Sequence, residues 1–122
     1  MSQLSPQIVA LCKEKLLEAK SLILNRVREN YVDYNSRDKA GDETDQAVNV
    51  LAEDQFLTTQ ERLRSQLLDI EMALAKISNG TFGICEETEE PIEADRLLTI
   101  PWTRLSIEGA EIREDLSKRY AK

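Results

Sequence analysis

The side chains of this chain that could do chemistry are carboxylates, twenty-three of them, and two thiols. Histidine is absent, which removes the usual acid–base group that titrates near neutral pH. No Ser-His-Asp set, Cys-His pair or glycine-rich phosphate loop can be assembled from the sequence. The chain is therefore not expected to be an enzyme or to carry a cofactor. Cys12 and Cys85 are the only cysteines, so a structural zinc, which wants four Cys or His ligands in a tetrahedron, has no ligand set. They stand far apart, and Met1 to Ser5 carry no basic patch leading into an apolar run. Reduced thiols in a cytoplasm are the expectation.

The carboxylates fall into two groups of interest. Asp42 and Asp45 precede a long apolar heptad pattern. Locally, Asp42 would cap a helix and Asp45, within its first turn, would meet the positive end of the macrodipole. Only one of them is needed as a cap, so Asp45 is where a further role would separate from stability. The second group, Glu86 to Asp95, holds six carboxylates in ten positions. Calcium would want a loop with ligand spacing and a central glycine; here Pro91 interrupts the run. A solvated face or a docking patch for a basic surface is the reading. Glu86, Glu87, Glu89 and Glu90 beside Cys85 should disfavour its thiolate, which makes a structural thiol the expectation and not a redox sensor. The net charge of −7 and pI near 4.7 are the wrong balance for gripping phosphates, so direct DNA binding is not expected. No run of ~18 apolar residues exists to span a membrane.

Two long helices must position these groups. From about Pro6 to Tyr34, Val9, Cys12, Leu16, Ala19, Ile23, Val27 and Tyr31 share one stripe, with Ser5 as N-cap and Pro6 at the first helical position. From about Glu43 to Asn79, Phe56, Gln60, Leu63, Leu67, Ile70, Leu74 and Ile77 keep an unbroken heptad register. Gln60 would cost stability in that seam but help fix register. Asn79-Gly80 ends the second helix, and the polar loop Asn35 to Gly41 joins the two. The fold class expected is mainly α. Residues 1–79 form a long antiparallel coiled-coil hairpin with an acidic tip at about 35–47. Residues 80–122 form a small finger-like module: a turn at Thr81 to Cys85, a knuckle to Ile92, an extended run from Arg96 to Trp102 and a helix from about Ser106 to Tyr120. A heptad hairpin closed on itself should stay monomeric.

The stretch Phe82-Gly83-Ile84-Cys85-Glu86-Glu87-Thr88, followed by Ile92, Arg96-Leu97 and Pro101, resembles the zinc-finger framework of the DksA/TraR family. Asp42-Glu43-Thr44-Asp45-Gln46-Ala47 resembles the Asp-x-x-Asp-x-Ala signature at that family's coiled-coil tip. The likeness runs ungapped from near the start of the first helix to the C-terminus. Of the four zinc-ligand positions only Cys85 keeps its cysteine, the others being Thr88, Ser106 and Gly109. The module is thus a degenerate, zinc-less finger, similar to zinc-independent paralogues that also carry Thr at the second position. Apolar packing among Phe82, Ile84, Ile92, Leu97, Ile100, Trp102 and Leu105 would have to hold it, at roughly 1.5–3 kcal/mol per buried side chain.

The resemblance implies a transcription regulator of the stringent-response type. It would bind bacterial RNA polymerase and not DNA, insert the acidic tip (Asp42, Asp45, with Ala47 small enough for close approach) into the secondary channel, and modulate promoter open complexes. Arg62 aligns with a basic polymerase-contacting position. Asp69, Ile100 and Ala110 replace the basic residues of the guanosine tetraphosphate (ppGpp) site, so ppGpp would be a joint partner only at the polymerase. The competing readings are a Gre-like transcript-cleavage stimulator, which would need a sizeable β-rich C-terminal domain, and a purely structural coiled-coil adaptor, which would be indifferent to Asp45.

Overall fold

The computed structural model describes residues 4–36 and 45–120. Four helices follow one another: α1 (Pro6–Asn35), α2 (Asp45–Asn79), α3 (Ala94–Thr99) and α4 (Ile107–Tyr120). The fold is mainly α, as expected. Among the described residues the one β feature is an isolated antiparallel bridge between Ile84 and Pro91, and no helix is long and apolar enough to cross a membrane.

The helix ends obey local chemistry. Ser5 Oγ accepts the Ile8 N–H at 3.2 Å, the N-cap expected ahead of Pro6. At the far end of α2, Gly80 adopts φ +77, donates to the Ile77 carbonyl at 3.3 Å, and lets Thr81 donate back to Lys76 at 2.9 Å. That pair of bonds is a Schellman cap, and the left-handed residue it requires explains the glycine.

The chain divides into two compact units, Lys20–Leu68 and Met1–Ala19 with Asp69–Lys122. Within the first, rising positions on α1 meet falling positions on α2: Arg26 and Glu29 share a groove with Arg62 and Gln66, whereas Tyr34 shares one with Ala52 and Phe56. The two helices are antiparallel there. Ile23, Gln60 and Leu63 are buried, so the polar seam position lies where the heptad places it. Phe56 stacks on Tyr34 at 4.3 Å and meets Tyr31 at 5.5 Å and 73°, and Asn30 Nδ2 donates to its carbonyl at 3.4 Å.

In the second unit, Cys12 and Leu16 of α1 and Ile70 and Ala73 of α2 are buried, as are Phe82, Cys85, Ile92, Leu97 and Pro101 from the finger. Cys12 Sγ donates to the Leu97 carbonyl at 3.6 Å and Lys15 Nζ to that of Leu98 at 2.6 Å. A Cβ at Gly83 would stand 2.7 Å from the Leu4 side chain, so the knuckle is in close contact with the residues leading into α1.

Two expectations for the finger need correction. Arg96 to Trp102 is not extended: Ala94–Thr99 is helical, with Leu97 N donating to Glu93 O at 3.1 Å and Thr99 Oγ1 to Asp95 O at 2.9 Å. The β-branched Thr99 and Ile100 read as strand, yet Leu97 and Leu98 are good helix formers and Pro101 only halts the helix after it has formed. Trp102 is 38% exposed and is no core residue, whereas Cys12 and Leu16 of α1 are fully buried. Helix α4 leaves Ile107 and Leu116 50% and 42% exposed. It approaches through Gly109 and Arg113, as described next.

Candidate functional site

The four degenerate zinc positions come together in space. Cys85 lies on the knuckle, with Thr88 one turn of chain further on; the Thr88 N–H points at Cys85 Sγ, 3.5 Å away. The turn is closed by Cys85 N donating to Glu90 O at 2.8 Å and Ile92 N to Gly83 O at 2.7 Å. Ser106 is the N-cap of α4: its Oγ accepts the Gly109 N–H at 3.0 Å, satisfying one of the free donors of the first turn. A Cβ on Gly109 would stand 2.5 Å from Cys85 Sγ and 3.4 Å from Ser106 Oγ. Cys85 and Ser106 are both buried.

Burial pushes the Cys85 thiol up, but hydroxyl and N–H donors of Ser106 and Thr88 pull harder in the other direction, and the thiol ends lowered to about 6. A charge-disfavoured thiolate, expected from the glutamates around it, is therefore not what the structure holds. The two glutamates next to it are themselves engaged by cations. Glu86 pairs with Lys76 at 3.0 Å, Arg113 at 3.8 Å and Arg104 at 3.9 Å, and Glu87 pairs with Arg113 at 3.1 Å. Burial raises the Glu86 carboxyl, but Lys76 first and then Arg104 and Arg113 hold it below the ordinary carboxylate value. These pairs join the end of α2, the knuckle, the segment before α4 and α4 itself.

A zinc ion does not suit this donor set. One thiolate, two neutral hydroxyls and a glycine offer a single soft ligand where a structural site uses four. Among the described residues no group of three or more Cys, Asp or Glu is arranged to hold a metal.

The other predicted positions lie in or beside the Lys20–Leu68 unit. Asp42 lies outside the described residues. Asp45 is the first residue of α2, and Ala47 is exposed one turn in. Arg62 is exposed and lines a polar groove with Arg26, Glu29, Asn30, Asp33 and Gln66.

This helix–knuckle–helix arrangement can be set beside known proteins. Residues 80–115 match the family model described as the prokaryotic dksA/traR C4-type zinc finger. The RNA polymerase-binding transcription factor DksA of Caulobacter vibrioides is 36% identical over 112 residues, covering 84% of this chain and 72% of that protein. The chain belongs to the DksA/TraR family. An uncharacterized protein of Aquifex aeolicus is 35% identical over 124 residues, covering 96% of this chain and 83% of its own length. Among solved structures, transcription factor DksA2 from Pseudomonas aeruginosa superposes with a TM-score of 0.82 at 28% identity over 95% of this chain and 89% of that one. The polymerase-binding regulator of Chlamydia trachomatis, at 21% identity and TM-score 0.55, shares the fold. The DksA relatives are transcription factors by name. The matching model is described as a C4-type finger, whereas this chain has one cysteine, Cys85, within the matched residues.

Sequence reasoning did not find Lys76, Arg104 and Arg113 as partners of the knuckle glutamates. Two adjacent acids inside a former ligand knuckle, with no metal to serve, were the available signal. The cap at Ser106 was legible too, as a serine directly before a helical run.

Proposed function

We propose that this chain is a regulator that binds bacterial RNA polymerase and modulates promoter open complexes, working in the cytoplasm as a monomer. The observation that carries the reading is the likeness, over 84% of the chain, to a relative whose name states polymerase binding. In this reading residues 1–79 are the arm, and its end bearing Asp42, Asp45 and Ala47 enters the secondary channel. Carboxylates there would compete for or reposition Mg²⁺ and basic loops. Arg62, exposed on α2, is a contact on the flank of the arm.

The finger, residues 80–122, is the base of the arm and works without zinc. Support comes from the unsuitable donor set and from the hydrogen bonds and ion pairs that already join its parts. At the positions of the ppGpp site, Asp69, Ile100 and Ala110 offer no cation, so any ppGpp effect belongs to the polymerase. Among the described residues the one β feature is an isolated bridge, which gives the Gre-like reading no specific support.

The test is purified transcription from a ribosomal-RNA promoter in the presence of chelator, comparing the parent with Asp45→Asn. Inhibition by the parent and not by the variant is expected, with no zinc found by elemental analysis. Equal inhibition would move the working surface away from the tip. One tightly bound zinc per chain would refute the account of the finger.

A further inference from the structure

The outward side of α2 repeats the heptad rhythm of its buried seam. Leu57, Glu61, Arg64 and Leu68 are spaced by four, three and four residues, which sets them on one line of the helix. All four are exposed, Leu57 and Leu68 by 55% and 59%. Glu61 and Arg64 make no ion pair among the described residues. Tyr31 of α1 shares a groove with Leu57, Glu61 and Arg64, and Leu24 stands two turns before Tyr31 on the same stripe. Leu24 and Tyr31, 40% and 54% exposed, therefore lie on this same side of the Lys20–Leu68 unit. The groove on the other side of the seam is mainly polar, with Arg26, Glu29, Asp33 and Arg62 among its lining residues.

The order of these residues is its own complement. Read against its reverse, Leu57-Glu61-Arg64-Leu68 matches apolar to apolar and acid to base about a point between Arg62 and Leu63. Leu24 and Tyr31 match each other about a point between Val27 and Arg28. Counting back from Tyr34 and forward from Phe56, which stack at 4.3 Å, the two points stand at one level of the antiparallel pair. A single twofold axis crossing both helices therefore satisfies both matches. An isologous contact between identical chains requires that symmetry, and a foreign partner does not. Carried one step further, the register would set Asp54 against Glu71, which are like charges, so the match ends at Leu57 and Leu68.

We propose that two copies of this chain pair through this face, α2 antiparallel to α2 and α1 to α1. Leu57 meets the second copy's Leu68, Glu61 its Arg64 and Leu24 its Tyr31. The apolar pairs supply the attraction. The ion pairs fix the register, because exposed pairs add little affinity while like charges in their place exclude the contact. Four partly exposed apolar side chains per copy make an interface at the small end of the range, so the pairing is reversible. It belongs to the free chain and does not rest on the polymerase reading, in which the working form is the separated monomer.

The test is sedimentation of the full chain from about 1 to 500 μM, in enough salt to screen the net charge of −7 beyond ~8 Å. The parent should move from 13.9 kDa towards twice that mass as concentration rises. Glu61→Arg and Arg64→Glu each set like charges at both contacts and should weaken pairing about tenfold or more. Their melting temperatures at the lowest concentration should stay within about 2 °C of the parent's, because both positions are exposed. An equal mixture of the two variants restores opposite charges at both contacts and should pair as well as the parent does. A loss caused by misfolding would not be rescued in that way. A parent that stays at 13.9 kDa throughout overturns the proposal. So does pairing that both charge variants leave intact, which would place the contact on another face. Variants that remain monomeric when mixed also overturn it, because Glu61 and Arg64 would then not meet across the axis.

Discussion

Gly109→Ala is a single methyl added to a helix, and helix propensity alone would make it stabilising by up to about 1 kcal/mol. The surroundings of Gly109 reverse that sign. The new Cβ would stand 2.5 Å from Cys85 Sγ and 3.3 Å from the Cβ of Glu87, while carbon and sulfur normally approach no closer than about 3.5–4 Å. Neither neighbour yields easily: Cys85 is 1% exposed and held by Thr88 and Ser106, and Glu87 is tied to Arg113 at 3.1 Å. Overpacking of this kind costs about 1–3 kcal/mol, which leaves a net destabilisation of up to about 2 kcal/mol after the propensity gain. For a domain of this size that is a fall in melting temperature of up to about 10 °C. The chain has one tryptophan, Trp102, in the finger, so its emission reports the unit concerned while far-ultraviolet circular dichroism follows all the helices. The decisive experiment is a double-mutant cycle with Cys85→Ala. Removing the sulfur opens the space, and Gly109→Ala should then be neutral or stabilising, giving a coupling of about 1–3 kcal/mol. If Gly109→Ala stabilises the parent as an ordinary helix Gly→Ala change does, α4 is not docked on the thiol and the account of the finger is wrong.

The lowered Cys85 thiol makes a pH prediction. Its folded value of about 6 lies below the ordinary 9.0, so between those values the unfolded chain holds the proton and the native state does not. Stability should therefore rise with pH across about 6 to 9 and be lost as pH falls through about 6; urea midpoints of the parent should show that slope and those of Cys85→Ala should not. Glu86 gives the acid counterpart. Its depressed carboxyl contributes stability that is present above the unfolded value of 4.5 and fades as pH falls below it. Glu86→Gln should cost about 1 kcal/mol at neutral pH, discounted for the partly exposed partners, and the loss should shrink in high salt.

Much of the fold was legible because it is written in short-range patterns. The stripe from Val9 to Ile23, the heptad from Phe56 to Ile77, the cap at Ser5 and the stop at Gly80 each depend on neighbours within a turn or two, and each stands where the pattern puts it. The finger was less legible because its order comes from distant partners. Leu97 is covered by packing that includes the α1 residue Cys12, which offers it a thiol hydrogen bond at 3.6 Å, and nothing near Leu97 announces that. Trp102 was read as core with the other apolar residues of the finger, and sequence does not show which of them face solvent. Glu86 and Glu87 were read as repelling the thiol because sequence shows like charges side by side and hides Lys76, Arg104 and Arg113. At the candidate site, the convergence of Cys85, Thr88, Ser106 and Gly109 followed from the family resemblance, but the replacement of ligation by a cap, a thiol acceptor and ion pairs did not.

The composition of the finger unit carries a consequence for the order of folding. Its core draws on residues 4–19 as well as 69–120, with Leu4 against Gly83 and Lys15 donating to Leu98, so its contacts bridge the longest separations in the chain. Lys20–Leu68 is continuous and closes its pairing over a far shorter loop. Local pairing precedes distant pairing when loop entropy sets the pace. On a ribosome the residues around Cys12 and Leu16 must therefore wait, their apolar stripe uncovered, until Leu97 and Pro101 have been made.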